Sequence, residues 1–325
     1  MTLQTLAVTL LAAEEGGYAV GAFNVSDLNQ AVAVLEAARH EGSPVIIQAI
    51  AGSSAYSNEG WWWDRLREII ESYHDIPATL HLDHGRTYVD CVRAIEHGFT
   101  SVMIDASRDV ETEEPASFES NVDRTKLVVD YAHRLGVSVE GELGTVGGAE
   151  FGVSGVVEDI VYADPIQARV FCDRTGVDAL AVAVGTSHGS VKFTDVAGGQ
   201  RLRIELIGRI KELLPDTYLV LHGSSSIPAE AVTAINTFGG SLPHSYGIAT
   251  TQKQAAIASG IRKINQGTDS HLTWTAALRR FLYDRPGEVE PSAAIAVEMA
   301  AMTELVSVRM NEFGSAGRTG EKIVS

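Results

Sequence analysis

The stretch Tyr18-Ala19-Val20-Gly21-Ala22-Phe23-Asn24-Val25 begins the first strand–helix unit of this 325-residue chain and distinguishes two folds. Its apolar first half is typical of a strand that is buried on both faces of a parallel sheet. A doubly wound sheet usually has a Gly-x-Gly-x-x-Gly turn directly after such a strand. The residues after Gly21 do not have that pattern, which favours a barrel.

Seven further short runs rich in Val, Ile and Leu follow along the chain. Together the eight runs occupy residues 18–23, 44–50, 77–83, 100–104, 137–140, 178–184, 217–222 and 260–265. Helical patterns separate them; the first is predicted to be capped by Ser26 and to end at Gly42, and Asp164-Pro165 begins a later one. Eight strands that alternate with helices predict an α/β fold, a (β/α)8 TIM barrel that forms a single domain over residues 1–325.

The chain continues beyond the eighth unit, over residues of about 286–325, and this part predicts an extra C-terminal helix. Its apolar residues recur at helical spacing, and they are Ile295, Met299, Met302, Val306 and Met310. Such a stripe has to be buried, so we expect the helix to pack on the barrel or on a second subunit.

Composition excludes several classes of function. The net charge of −17 argues against nucleic acid or an anionic membrane as the main partner. Only Cys91 and Cys172 are present, which excludes a disulfide scaffold and a cysteine-rich zinc module. No uninterrupted apolar run reaches the ~18 residues that span a bilayer, and the N-terminus lacks a basic segment. We therefore expect a cytoplasmic protein.

Histidines end three of the predicted strands. His81 and His84 end the third, His188 follows the sixth, and His222 ends the seventh. Catalytic groups in this fold lie at the carboxyl ends of the strands, and three imidazoles with one open position form a catalytic zinc site. The pattern therefore predicts a metal site of three histidines, and spacing alone leaves the choice between His81 and His84 open.

Carboxylates and small-residue turns mark the same strand ends. Asp83, Asp105, Glu140 and Glu142 would either orient the histidines by hydrogen bonds or act as a general base. Turns rich in Gly, Ser and Thr, at 185–190, 223–226 and 267–269, follow strands six to eight and are typical phosphate-binding loops, with Lys192 close in sequence.

From end to end the sequence resembles the class II, metal-dependent fructose-1,6-bisphosphate aldolases and their relatives that act on tagatose bisphosphate. The stretches that carry the resemblance are Gly21-Ala22-Phe23-Asn24-Val25, His81-Leu82-Asp83-His84-Gly85, Val102-Met103-Ile104-Asp105, Glu140-Gly141-Glu142-Leu143-Gly144, Gly185-Thr186-Ser187-His188-Gly189, His222-Gly223-Ser224-Ser225-Ser226, Lys263-Ile264-Asn265 and Phe313-Gly314-Ser315-Ala316-Gly317.

The resemblance implies a zinc site and two acid–base residues. Zinc would be held by His84, His188 and His222, and Glu142 and Asp105 would serve an alternative metal position or support the ligands, with room for a second divalent or a monovalent cation. Asp83 would be the acid–base group at the substrate C4 oxygen. Glu150 would exchange the C3 proton of dihydroxyacetone phosphate.

The resemblance also implies a sugar phosphate as the ligand. Dihydroxyacetone phosphate would be held by Gly189, Gly223, Ser225, Asn265 and Thr268, with Lys192 nearby and Asn24 at the substrate. The reaction would be the reversible glycolytic cleavage of fructose 1,6-bisphosphate to dihydroxyacetone phosphate and glyceraldehyde 3-phosphate. The family also suggests a homodimer or a higher homo-oligomer, with the C-terminal helix at or near the interface.

Departures from the family pattern concern the aldehyde half of the substrate. Gly267 stands where the family has a carboxylate, and Ile50 stands where a related branch has a serine that faces the distal phosphate. We therefore expect weaker efficiency on fructose 1,6-bisphosphate, unless Arg309 or Arg318 supplies the missing charge, and a different or broader acceptor, with tagatose bisphosphate or another ketose 1-phosphate as the alternative.

Two other classes of function remain as alternatives. One is a barrel subunit without catalytic activity, which retention of the histidines and of Asp83 disfavours. The other is an aldolase that forms an imine; among the lysines only Lys192 and Lys263 lie near a strand end, which makes this chemistry the less favoured interpretation.

Overall fold

Eight parallel strands close into a barrel in the computed structural model, with helices on the outside. The structure describes residues 3–112, 114–144, 147–148, 161–188 and 202–320, and for 147–148 and 187–188 it describes the backbone alone. Near-continuous apolar runs form these strands because each strand is covered on both faces. The predicted (β/α)8 barrel is confirmed.

The strand order around the barrel is β1, β10, β9, β7, β5, β4, β3, β2. These strands are β1 (Val20–Asn24), β2 (Val45–Ile50), β3 (Ala78–Gly85), β4 (Ser101–Ile104), β5 (Ser138–Leu143), β7 (Ala179–Val182), β9 (Tyr218–Leu221) and β10 (Ile261–Gln266). Two short strands outside the barrel, β6 (Gly147–Gly148) and β8 (Ser187–His188), pair with each other in parallel. All eight predicted strands are present, and no end differs from its predicted position by more than three residues.

The helices of the described chain are α1 (Leu6–Gly16), α2 (Leu28–Glu41), α3 (Glu59–Ser72), α4 (Tyr88–Glu96), α5 (Phe118–Ala132), α6 (Pro165–Thr175), α7 (Ile204–Leu213), α8 (Ala229–Thr237), α9 (Thr250–Ala258), α10 (Thr268–Asp284) and α11 (Pro291–Phe313). The Asp164 side chain caps α6 as predicted. The prediction of Ser26 as the cap of α2 is wrong: Asp27 caps the helix, because the N–H and the hydroxyl of Ser26 both donate to Gln30 Oε1.

Helix α1, which the sequence patterns did not predict, lies at the amino-terminal end of the barrel. Its Leu6, Leu10 and Ala13 are fully buried and belong to the same apolar cluster as Val20 and Val220. The burial of these side chains closes that end of the barrel with an apolar plug. The hydroxyls of Thr9 and Thr79 hydrogen-bond at this end, whereas Asp83, Glu142 and His222 lie towards the opposite end, where the strands finish.

The predicted C-terminal helix is α11, which packs against α2 and α10. Met302, Val306 and Met310 of the predicted stripe are buried there, whereas Ile295 and Met299 are half-buried, so the chain itself covers the second half of the stripe. An 18-residue window of α11 has a mean hydropathy of 1.3, and by length and composition this helix could cross a membrane although it contains charged residues. Core helices of other proteins pass the same test, so this is weak evidence for a span.

Candidate active site

Histidine and carboxylate side chains cluster at the carboxyl ends of β3, β4, β5 and β9. Within the described residues, two sets of three have ligand atoms that lie within 4.8 Å of one another: Asp83, His84 and His222, and His84, Asp105 and Glu142. His84 belongs to both sets, so the five side chains form one continuous group. The His84 and His222 rings meet edge to face, with centroids 4.8 Å apart.

The backbone at the end of β3 brings Asp83 and His84 to the same site. Side chains alternate along a regular strand, so two consecutive residues would point in opposite directions. Here the pairing register with β4 shifts between Leu82 and Gly85, and His84 has a φ of +47° in the left-handed region. A residue with a Cβ adopts that region at a cost, which the surrounding contacts must offset. His81 is fully buried in the barrel, with Nδ1 2.8 Å from Ser101 Oγ, and belongs to neither set.

Asp83 is held by side-chain amides from two other strands. Asn24 Nδ2 donates to Asp83 Oδ2 at 2.8 Å, and Asn265 Nδ2 donates to Oδ1 at 3.0 Å. Gln48 Nε2 in turn donates to Asn24 Oδ1 at 2.9 Å. Both carboxylate oxygens therefore have a fixed donor. The resemblance assigned Asn24 and Asn265 to the substrate, and the structure shows that both also orient Asp83.

His222 is oriented by a buried ion pair. Its Nε2 donates to Glu140 Oε1 at 2.8 Å, and Lys263 Nζ lies 2.9 Å from Glu140 Oε2. Glu140 and Lys263 are fully buried. With Nε2 engaged, the other ring nitrogen, Nδ1, faces Glu142 Oε2 at 3.7 Å. A carboxylate that fixes the ring and tautomer in this way is the usual partner of a metal-binding histidine.

His81 completes the buried cluster around Glu140. Its Nε2 lies 3.6 Å from Glu140 Oε2. Burial, followed by the charge of Lys263, holds the pKa of His81 well below its usual value. His81 is therefore neutral at pH 7, and Lys263 is the cation that faces Glu140.

Three of the five clustered side chains are carboxylates, and their charges act on one another and on His84. Burial and the Asp105 carboxylate raise the pKa of Glu142. Burial alone would lower the pKa of His84, but the carboxylates of Asp83, Asp105 and Glu142 outweigh it and raise that pKa to about 10. The group therefore favours any added positive charge. Its nitrogen and carboxylate donors suit zinc or another divalent transition metal.

One buried oxygen supports the fit of a metal. Glu142 is 3 % exposed, and its Oε2 accepts no hydrogen bond from the part of the chain that the structure describes. Buried carboxylate oxygens are normally satisfied by a donor or by a cation. A cation between Glu142 and the two imidazoles would satisfy this atom.

Four of the predicted site residues lie wholly or partly outside the described residues. Glu150, Gly189 and Lys192 fall in the segments that the structure does not describe. His188 is described by its backbone, in β8, where it pairs with Gly148 of β6. The chain segments that follow β5 and β7 therefore meet beside the barrel.

The predicted phosphate residues follow two neighbouring strands. Gly223, with a φ of +59°, and Ser225 come directly after β9, and Thr268 is the first residue of α10 after β10. Ser224 Oγ donates to the Asn265 carbonyl at 2.7 Å and ties the two loops together. Backbone N–H groups of such a loop and of a helix amino terminus suit an anion.

The two C-terminal arginines considered for the distal phosphate contact other side chains in the structure. The Arg309 guanidinium contacts Asp269 and Glu312, at 2.9 and 2.7 Å. Arg318 lies over the Tyr18 ring, before β1 and therefore at the opposite end of the barrel from the cluster. The expectation that one of them supplies the distal charge stays a prediction.

The roles of Lys263 and Gln48 were not predicted from the sequence. Both are polar residues inside apolar strands, and both are fully buried. A lysine in the middle of such a strand was the available signal, because an ammonium is buried only when a partner carboxylate is present.

Comparison with known proteins gives one consistent result. The profile of the family described as "Fructose-bisphosphate aldolase class-II" matches residues 4–318. A fructose-bisphosphate aldolase from Nostoc commune is 42% identical over 99% of this chain and 92% of its own length, and one from Cupriavidus necator is 41% identical over 99% and 96%. The crystal structure of the YdjI aldolase from Escherichia coli K12 superposes with a TM-score of 0.76 at 27% identity, and covers 98% of this chain and 99% of that one.

Substituting Lys263 by Met should destabilise the protein strongly. The change leaves Glu140 buried without its ammonium partner, and breaking a buried pair costs about 3–5 kcal/mol. Lys126→Met is the matched control, because Lys126 forms an exposed pair with Asp130 and should change stability by about 0.5 kcal/mol or less. Urea unfolding followed by circular dichroism measures both. Equal stability of the two variants would contradict the role of Lys263.

Proposed function

This chain belongs to the class II fructose-bisphosphate aldolase family, and on that premise we propose that it cleaves fructose 1,6-bisphosphate reversibly to dihydroxyacetone phosphate and glyceraldehyde 3-phosphate. The chain is an aldolase, an aldehyde lyase of carbohydrate metabolism. The observation that carries the proposed reaction is the group of Asp83, His84 and His222, in which a carboxylate adjoins two imidazoles at the catalytic end of the barrel.

We infer that zinc is bound by His84, His188 and His222. The fit rests on the convergence of His84 and His222, on the orientation of His222 by Glu140, and on the unsatisfied oxygen of Glu142. Glu142 and Asp105, which form a second set with His84, would hold the metal in an alternative position or receive a second cation. The chemistry that zinc supplies when bound is Lewis-acid stabilisation of the negative charge that develops at the C2 oxygen of the ketose.

Asp83 is the group that we assign to proton transfer at C4. The Asp83 carboxylate removes the proton of the C4 hydroxyl while the C3–C4 bond breaks and its electron pair stays on C3. The hydrogen bonds from Asn24 and Asn265 hold the carboxylate in one orientation for this step. The half of the substrate that begins at C4 is released as the aldehyde. Glu150 then donates a proton to C3, which completes dihydroxyacetone phosphate.

The donor half of the substrate is assigned to the loops after β9 and β10. Gly223, Ser225, Asn265 and Thr268 would bind dihydroxyacetone phosphate together with Gly189 and Lys192. The proximity of the two loops and the amino terminus of α10 support this assignment. Relatives named fructose-bisphosphate aldolase favour glyceraldehyde 3-phosphate as the acceptor.

Three further proposals concern the context of the reaction. We propose that residues 1–325 act as one catalytic domain, that the chain assembles as a homodimer or a higher homo-oligomer, and that it works in the cytoplasm on a sugar phosphate. Helix α11 still presents Val297 and Val308 to solvent, so an outer face remains for contact with a second copy.

Metal removal tests the zinc assignment. EDTA should abolish the cleavage of fructose 1,6-bisphosphate, and zinc should restore it, because a site with an open position exchanges its metal. His84→Ala and His222→Ala should lose both bound zinc and turnover while the barrel stays folded. His40→Ala is the control, since His40 is exposed on α2. Full zinc content and normal turnover in His84→Ala or His222→Ala would refute the assignment.

The two acid–base roles predict different defects. Asp83→Asn keeps the shape of the side chain but cannot accept the C4 proton, so it should retain zinc and lose cleavage by about 100-fold or more. Glu150→Gln should slow the exchange of the C3 proton of dihydroxyacetone phosphate with solvent, measured by NMR. Mild and equal effects of both variants in both assays would count against the two roles.

The acceptor half predicts a modest discrimination between substrates. A charge-assisted contact to a second phosphate is worth about ten- to a hundredfold in affinity, and Ile50 and Gly267 offer no such contact. We expect kcat/KM for fructose 1,6-bisphosphate to exceed that for fructose 1-phosphate by less than this factor. A larger preference for the bisphosphate would show that another group, from this chain or a second copy, binds the distal phosphate.

A further inference from the structure

A buried network of charges contacts the loop of residues 223–226. Its members are Asp269 on α10, Arg309 on α11 and Lys253 on α9, of which Asp269 and Lys253 are fully buried and Arg309 is 6 % exposed. Three helices therefore each contribute one charged side chain to this network. Burying these charges is costly, which argues for a role beyond packing.

Asp269 fastens the loop by its backbone. The Ser226 N–H donates to both carboxylate oxygens of Asp269, at 3.0 and 3.1 Å, and the Ser225 side chain also hydrogen-bonds to it. Lys253 Nζ donates to Ser226 Oγ at 2.5 Å, and Ser226 Oγ donates to the Ile248 carbonyl at 3.1 Å. Hydrogen bonds to Lys253 of α9 and Asp269 of α10 thus fix the position of the loop.

Lys253 and Arg309 together balance the charge of Asp269, and Arg309 contacts it directly. Its Nε and Nη2 both donate to Asp269 Oδ2, at 3.0 and 2.9 Å, and its Nη1 donates to Glu312 Oε2 at 2.7 Å. Asp269 is the second residue of α10, so its carboxylate lies at the helix end where an anion would bind. An unbalanced carboxylate there would repel a phosphate dianion.

We propose that Asp269 and Arg309 are positioning residues for the phosphate of dihydroxyacetone phosphate: Asp269 fixes the loop of residues 223–226, and Arg309, together with Lys253, neutralises Asp269 so that the phosphate can bind next to it. This inference rests on the proposed function, because it takes that loop as the phosphate site. It makes α11, which lies outside the eight strand–helix units, a working part of the site.

The experiment measures the affinity of the zinc-loaded protein for dihydroxyacetone phosphate by titration calorimetry. Arg309→Met should weaken binding about ten- to a hundredfold, because Asp269 then loses the cation that contacts it directly and keeps only Lys253 to balance its charge. The double variant Asp269→Asn with Arg309→Met should recover most of the affinity, because Asn still accepts the Ser226 N–H and carries no charge. Zinc affinity, measured against a chelator, should be the same in all these proteins.

Arg280→Met is the matched control, since Arg280 forms an exposed pair with Asp284 on α10 and should bind like the wild type. Arg309→Lys retains the charge but not the two contacts to Asp269 Oδ2. We expect its affinity for dihydroxyacetone phosphate to lie between that of the wild type and that of Arg309→Met. In steady-state cleavage the Arg309 variants should raise KM more than they lower kcat, which a general loss of folded protein would not do.

Three outcomes separate the hypotheses. Wild-type affinity in folded Arg309→Met overturns the positioning role and leaves the proposed function standing. If Arg309→Met does not fold, wild-type affinity in Arg309→Lys overturns it equally. Failure of the zinc-loaded wild type to bind dihydroxyacetone phosphate would refute the proposed function, and the positioning role with it.

Discussion

The buried Glu140 carboxylate is the constraint around which the interior of the barrel is arranged. One of its oxygens accepts a hydrogen bond from His222 Nε2, and the other faces the ammonium of Lys263. Replacing such a pair by apolar residues would cost the fold little, so its presence is better explained by what it orients than by stability. The ring of His222 can turn its second nitrogen to the site only because Glu140 holds the first. Closure of the opposite end by the apolar side chains of α1 supplies part of the stability that a polar interior lacks.

A second constraint is the conformation at the end of β3. The side chains of Asp83 and His84 have to reach one site from consecutive positions, which a regular strand does not allow. The left-handed backbone at His84 and the register shift before Gly85 solve this problem locally. Gly85 is suited to the crowded position, since an added Cβ would lie 2.6 Å from the Met103 carbonyl oxygen. Strain at one residue thus places a carboxylate directly beside an imidazole.

The sequence predicted the fold almost completely. Strands that are covered on both faces have to be apolar throughout, so each of the eight strands appears in the sequence as an apolar run, with a helical pattern between most of them. It also predicted that Asp83, Asp105, Glu142 and His222 would meet, since strand ends of a barrel share one rim. What it could not predict depends on backbone geometry or on distant contacts. The orientation of His84 depends on the register shift at the end of β3, and the hydrogen bonds from Asn24 and Asn265 to Asp83 join three strands. Helix α1 exposes the apolar Val8 and Leu11, so its sequence does not show one distinct apolar face.

The apolar stripe of α11 explains how this helix packs but does not explain its buried arginine. Its stripe of Met302, Val306 and Met310 explains why the helix packs on the barrel, and any apolar residues of similar size would serve that purpose. Arg309 lies in the same buried region and is not needed for packing. Its two contacts to Asp269 lead from the helix, through one carboxylate, to the Ser226 N–H. A helix that only covers the barrel does not require a buried guanidinium, whereas the proposed positioning of the loop of residues 223–226 does.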